Sequence, residues 1–254
     1  MTVTLQVAWI VAVGLVALRL GTVLILAPVL GTSSIPAHIR VLFVIGLSVL
    51  LVAGLHVDPT KLPLSAPALA LAALSELVLG ALLAFGLFTA FAVFLLAGRI
   101  MDVQLGFGVA TLIDPTNRTQ APLLGTILNL TAVALFFAID GHHMLIRGLA
   151  FSLERVPPGT FISGLDAGAI VAQFGGMFVY AVALAAPVLF TILLIDVVLA
   201  VTARTMPQMN VFIVSLPLKI FVGLLVLTLS LRYLAPLAAR VFESLFEYWQ
   251  ELLT

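Results

Sequence analysis

The chain has 254 residues, 63% of them hydrophobic and 9% charged, with a mean hydropathy of +1.30 and a formal net charge of zero. A soluble domain of this size normally carries about a quarter charged residues, so the solvent of this chain is lipid or other apolar protein. Zero net charge without a basic patch argues against nucleic acid as a partner, and the absence of cysteine removes disulfides and thiolate metal ligands.

Six apolar stretches follow in order, at roughly 5–30, 41–57, 67–97, 123–139, 167–201 and 211–231. Most reach the ~20 residues that span a bilayer as a helix. The first basic residue is Arg19, so the start lacks the charged n-region of a cleaved signal and reads as a retained apolar segment. The third and fifth stretches exceed one straight span and are expected to tilt, kink or extend past the hydrocarbon. Pro28, Pro187 and Pro217 sit in or near such runs, which predicts broken helices. Turn chemistry marks the connections "GTSSIPAH", "DPTKLP" and "RVPPGTF". The tail repeats Leu234, Ala238, Val241, Leu245, Trp249 and Leu252 at helical spacing, with Glu243, Glu247 and Glu251 on another face. That is an amphipathic helix, lying on a membrane or partner or packing on its own bundle. With six spans, Arg40, Arg99, Arg118 and Arg204 fall on one side and Lys61, Arg147, Arg155, Arg232 and Arg240 on the other. That balance leaves orientation uncoded.

Between the third and fourth stretches lies "GFGVATLIDPTNRTQAP", Gly106 to Pro122. Gly106 and Gly108 permit tight backbone, and Asp114-Pro115 disfavours helix. Phe107, Val109, Leu112 and Ile113 are too apolar for a solvated loop. Irregular backbone at membrane depth survives only where it is buried in protein or lines a cavity, so the segment is expected to face inward and close something off, the alternative being a loop on the bilayer surface. Small residues form ridges at Gly164, Gly168, Ala172 and Gly176, and at Gly80 with Ala84 and Gly86 with Ala90. Such faces let helices approach closely, within the chain or between subunits.

Four charges fall inside apolar runs: Arg19, Glu76, Asp196 and Lys219. A lone buried charge is costly, so two acids and two bases are expected to pair, either structurally or as an ion relay. In "DGHHM", Asp140, His142 and His143 offer ligand chemistry, but adjacent histidines on a helix point about 100° apart and no HExxH pair is present. Interface hydrogen bonding is the preferred reading and no metal site is expected. No GxSxG elbow or paired carboxylates appear, and "GFGVAT" lacks the third glycine of a dinucleotide fingerprint. An enzyme is therefore not expected, and neither is a cofactor. The runner-up function is a proton-coupled secondary transporter with Glu76, Asp114 and Asp196 as relay groups.

"GFGVATLIDP", "APLLG" and "DGHHMLIRGL", with "RLGTVLILAPVLGTSSIPAHIR" and "SELVLGALLAFG", resemble the flagellar biosynthetic protein FliR family, the R (or T) subunit of the type III secretion export apparatus. The most specific block is "APVLFTILLIDVVLAVTARTMPQMNVFIVSLPLKIFVGL". The resemblance runs from about Ala8 to Leu231, and Asp114-Pro115 with Pro122 favours the flagellar branch. It implies an all-α membrane-derived fold of kinked hairpins, with a P-like part at 1–163 and a Q-like hairpin at 164–231, followed by the C-terminal amphipathic helix read from its spacing at 232–254. It implies assembly with P-type and Q-type subunits into a helical export gate in the basal body, at the bacterial inner membrane. The loop at 106–120 would be the plug of the gate's channel. Gly106 and Gly108 would let it move, and Asp114 and Pro115 lie within it. Arg204, Pro207, Gln208 and Asn210 would form a cytoplasmic-side turn near the B-type export-switch protein. Unfolded export substrates would pass through in transit.

Overall fold

Apolar runs of this length can satisfy their backbone in lipid only as helices or closed barrels, and in the computed structural model they are helices. The structure describes residues 2–26, 36–55, 62, 65–107, 122–160, 166–206, 208 and 211–253. Among these there is no strand. In chain order the helices are α1 (Thr2–Leu26), α2 (Ala37–Gly54), α3 (Ala66–Leu105), α4 (Leu123–Ala138), α5 (Gly141–Arg155), α6 (Ala167–Thr205), α7 (Val211–Ser230) and, after a 3-10 turn at Leu231–Tyr233, α8 (Leu234–Leu252). Five described segments are long and apolar enough to cross a membrane: Val7–Leu26, Ala37–Gly54, Ala66–Leu105, Ala167–Thr205 and Ile213–Leu252. A sixth is added if α4 and α5 count as one bent span.

Of the prolines expected to break helices, Pro28 lies outside the described residues and the other two do not break theirs. Pro187 and Pro217 both sit inside continuous helices. The bend falls between α4 and α5, which meet at 73°, and the residue at the corner, Asp140, has φ 58. A helix cannot continue through left-handed backbone, and Asp and Asn tolerate that region better than most residues. The third helix continues past the end of its apolar run at Ala97 to Leu105, and 141–155, outside the six apolar runs, is helical too. Both segments are helical because their sparse charges lie on faces that still leave an apolar stripe, as with Leu145, Leu149 and Leu153 in α5, all buried.

The chain divides into two units. The first comprises Met1–Thr89, Asp140–Gln173 and Glu243–Thr254. In it α1 buries Ala8, Ala12, Leu15, Val16, Leu20 and Val23, and α2 buries Val44, Ser48 and Val52 at a four-residue spacing. The end of α8 docks on α3 by two aromatic anchors. Trp249 Nε1 donates to the Leu83 carbonyl at 3.1 Å and Tyr248 Oη to the Leu82 carbonyl at 3.1 Å. Gly148 and Gly86 make room for these rings, since a Cβ on either would sit 2.5–2.6 Å from an aromatic carbon. The apolar stripe of the tail is thus buried in its own chain, while Glu243, Glu247 and Glu251 are exposed.

The second unit comprises Ala90–Ile139 and Phe174–Phe242. Its core is an aromatic cluster in which Phe242 lies 5.4 Å from Phe91, 6.2 Å from Phe94 and 5.2 Å from Phe136, centroid to centroid. In the same unit α6 buries Ala181, Ala185, Val188 and Ile192, one stripe at helical spacing. Most of its other large apolar side chains are exposed, Phe190, Leu193 and Val197 among them.

Candidate functional site

The segment Gly106 to Pro122 is approached by α3 and left by α4, and the structure fixes both stems. At the end of α3 the Gly106 N–H donates to the Val103 carbonyl at 3.2 Å and the Phe107 N–H to the Asp102 carbonyl at 3.0 Å. With Gly106 at φ +83, these two bonds make a Schellman stop. A side chain at Gly106 would also strike Leu216 of α7, 2.5 Å from the Cβ position. Gly106, read in the sequence as a source of mobility, is therefore the residue that ends α3 at a defined place.

The first turn of α4 starts at Pro122, which has no side chain able to cap it. The cap comes from α3 instead. Leu124 N–H donates to Asp102 Oδ1 at 3.1 Å and Gly125 N–H to Oδ2 at 3.3 Å. A carboxylate on the orphan N–H groups of a helix start is stabilised by direct bonding and by the helix dipole. One turn earlier Gly98 meets Gly125 backbone to backbone, leaving no space for a side chain at Gly98 and only a tight one at Gly125, against Pro122 and the Leu95 carbonyl. Leu105 fills the space a side chain would take at Gly223 of α7. The two stems are thus held by one clamp built of Gly98, Asp102, Gly106 and Gly125. Of the residues assigned to the plug, Gly106 and Phe107 belong to this clamp. Gly108, Val109, Leu112, Ile113, Asp114 and Pro115 lie outside the described residues.

Asp102, Gly98, Gly125 and Gly223 were not singled out by the sequence. Asp102 did carry a signal: an acid in the last turn of a helix is at the unfavourable end of the dipole, so it needs a partner elsewhere.

The four intrahelical charges form two pairs with different surroundings. Arg19 is fully buried in α1. Its Nε donates to Glu76 Oε2 at 2.6 Å and its Nη2 to Oε1 at 3.1 Å. The remaining N–H groups reach the Ser152 carbonyl and hydroxyl at 2.9 and 3.3 Å and the Val156 carbonyl at 2.9 Å. All five guanidinium donors are used. Glu76 Oε1 also accepts from the Gly159 N–H at 3.0 Å, and Ser75 Oγ donates to the Thr160 carbonyl at 3.1 Å. Gly80, one turn from Glu76, lets α3 touch the α1 backbone, since its Cβ would lie 2.8 Å from the Arg19 carbonyl oxygen. The network ties α1, α3 and the end of α5 together. The second pair, Lys219 Nζ with Asp196 Oδ1 at 2.5 Å, links α6 to α7. It is not buried: the two side chains are 21% and 43% exposed.

Asp140, His142 and His143 converge more than helical geometry led one to expect. Their ligand atoms lie within 4.8 Å of one another, with the imidazole rings 4.1 Å apart and His143 Nδ1 3.4 Å from Asp140 Oδ1. The rings lean toward each other although their Cα–Cβ bonds diverge. The cluster sits at the start of α5, where the helix dipole opposes a cation.

The small-residue ridges separate into two kinds. Gly80 and Ala84, expected at a subunit interface, are both buried within the chain, Gly80 against the α1 backbone because the Arg19 crossing requires close approach there. Gly168 and Ala172 are exposed, and a Cβ at Gly176 would meet nothing within 4 Å. Asp166 caps the start of that helix, accepting from the Gly168 N–H at 2.7 Å. In the turn between α6 and α7, Arg204 and Gln208 are exposed, while Pro207 and Asn210 lie outside the described residues.

Comparison with known proteins adds a lineage to this geometry. Residues 10–245 match the family described as bacterial export proteins, family 1. The flagellar biosynthetic protein FliR of Bacillus subtilis (strain 168) is 30% identical over 243 residues, 94% of this chain and 93% of the relative. The protein of the same name from Aquifex aeolicus is 31% identical over 91% of this chain and 90% of its own length. Yop proteins translocation protein T of Yersinia pestis is 29% identical over 61% of this chain and 60% of its own.

Proposed function

Because the chain belongs to the bacterial export proteins, family 1, and is an all-α membrane component of a type III export apparatus, we propose that it is a non-enzymatic core subunit of the flagellar export gate. In this reading it lines part of the channel for unfolded export substrates, and the loop at 106–120 corks that channel. The flagellar assignment is supported by relatives that align over nine-tenths of the chain, against 61% for the translocation protein.

The observation that carries the plug reading is the clamp. A segment that must stop a channel and return after each substrate needs fixed stems, and Asp102 with the Gly98–Gly125 contact fixes both. Between the stems the sequence supplies Val109, Leu112 and Ile113, apolar groups suited to excluding water from a narrow lumen. The mechanism is steric. The seated loop blocks ions, a substrate displaces it, and other components supply the energy. Glu76, with both carboxylate oxygens committed to Arg19 and Gly159, is suited to holding helices together.

The P-like part would be 1–163, the Q-like hairpin 164–231 and the C-terminal helix 232–254. P-type and Q-type subunits would pack on the open Gly168–Ala172–Gly176 face. The B-type switch protein would meet the turn that holds Arg204 and Gln208. The complex would sit in the inner membrane at the flagellar basal body. The test replaces residues 108–120 by a Gly-Ser linker of equal length, which leaves the clamp untouched. Cells carrying this variant should become leaky to small ions and solutes; membranes as tight as those of the parent would refute the plug.

A further inference from the structure

The α6–α7 hairpin measures one hydrocarbon thickness from its turn to a groove at its far end. From Val211 to Ser230 α7 has 20 residues, about 30 Å at ~1.5 Å per residue, close to the ~30 Å of a bilayer core. Arg204 marks the end at the turn, in the last turn of α6. At the other end lies a groove of about 350 Å³ between α6 and the junction of α7 with α8, lined by Leu184, Pro187, Ser230, Tyr233, Leu237 and Arg240. Its walls are mostly apolar. Its lining carries the exposed Arg240, and Arg232, next in sequence to the lining Tyr233, holds its guanidinium 4.6 Å from the centroid of the Tyr233 ring. Neither arginine forms an ion pair with a carboxylate among the described residues.

We propose that this groove holds one anionic membrane phospholipid, with its phosphate at Arg240 and Arg232 and its upper acyl chain against Leu184, Pro187 and Leu237. Three features favour lipid over a protein partner. An exposed tyrosine beside arginine at the end of an apolar run is the composition of a membrane–water boundary. The helices that line the groove also carry large exposed apolar side chains near it in sequence, Phe190 three residues after Pro187 and Leu229 next to Ser230, a surface suited to acyl chains. The uncommitted arginines complement a phosphodiester, and basic pockets between membrane helices bind anionic head groups in this way.

The test is lipid binding to the full-length chain in detergent, followed by native mass spectrometry while phosphatidylglycerol or phosphatidylcholine is titrated. Phosphatidylglycerol should be retained preferentially, and excess inorganic phosphate should not displace it. Arg240→Gln should weaken binding about fivefold and the double variant R232Q/R240Q about 25-fold, from ~1 kcal/mol per basic residue. Both side chains are exposed, so these variants should keep the parent's helical content and elution volume. Leu237→Trp, which fills the groove, should lose lipid while Arg232 and Arg240 remain. Equal retention of the two lipids, displacement by phosphate, or unchanged binding in R232Q/R240Q would each overturn the proposal. So would a groove that stays lipid-free in the isolated chain and is covered only when another subunit is added. None of these readouts depends on the plug.

Discussion

Helices α3 and α6 are near twins as sequence, 40 and 39 residues long and similarly apolar. In the structure, 61% of the most apolar stretch of α3 is buried within the chain, against 17% for that of α6. Composition sets the kind of solvent a helix needs and is silent on whether that solvent is its own chain. What separates the two is the small number of polar and glycine positions that fix neighbours. α3 carries Glu76, Gly80, Gly98 and Asp102, each engaged by a specific backbone or side-chain partner. α6 carries Gly168, Gly175 and Gly176, and at the latter two nothing within 4 Å would meet a Cβ. The apolar surface of α6 is therefore left for lipid or for other subunits.

The contrast is broken most strongly at the Arg19 network. Glu76→Gln or Arg19→Met should each destabilise the chain by ~3–5 kcal/mol, because the surviving partner keeps its burial and loses its compensation. Thermal unfolding in detergent reads this directly. The double variant R19M/E76M should recover only part of the loss, since the Ser152 and Val156 carbonyls and the Gly159 N–H still lose their partners. A single variant with parental stability would mean that α3 is held by apolar packing alone and differs little from α6.

Glycine substitutions sharpen the comparison at the next level. Gly80→Leu should cost ~1–3 kcal/mol by overpacking against the α1 backbone. Gly176→Leu should leave the isolated chain at or slightly above parental stability, because helix propensity improves and nothing is displaced. Under the proposed function, its effect should appear instead as loss of co-purification with the P- and Q-type subunits. Intact complexes from Gly176→Leu would show that the open face of α6 is covered by lipid.

Much of this was legible beforehand for reasons that lie in local chemistry. Apolar runs predicted helices because the backbone has no other way to be satisfied in lipid. The buried stripe of α8 was visible in the spacing of Leu234, Ala238, Val241, Leu245, Trp249 and Leu252, since periodicity survives whatever the partner is. The prolines misled because a helix flanked by apolar neighbours can run through Pro187 without ending, whereas Asp140, with its positive φ, cannot be passed. Ridges at Gly80 and Gly168 looked alike because a small residue signals close approach without naming the approaching body. The clamp stayed hidden because Asp102 and Gly125 are 23 residues apart, and only tertiary structure shows that one caps the other.

That cap supplies an intermediate effect. Asp102→Ala should cost ~0.5–2 kcal/mol, the value of an N-cap, and, if the loop is the proposed plug, should raise ion leak by loosening its stem. Stability lost without added leak would make Asp102 a helix cap with no bearing on closure.

The smallest effect is expected on α6. Lys219 and Asp196 form a short ion pair, but both side chains see the surroundings of the isolated chain. An exposed pair contributes only ~0–1 kcal/mol, because solvent competes for each charge and holding two side chains costs entropy. Lys219→Gln should therefore barely change the unfolding of the isolated chain in detergent. Once lipid or a neighbouring subunit covers the α6–α7 hairpin, the same pair becomes desolvated, and removing one partner leaves a charge without compensation. The substitution should then cost more in the assembled particle than in the chain alone, a difference measurable by comparing melting of the two. An equal cost in both would place the pair in water in either state and leave α6 uncovered at that level.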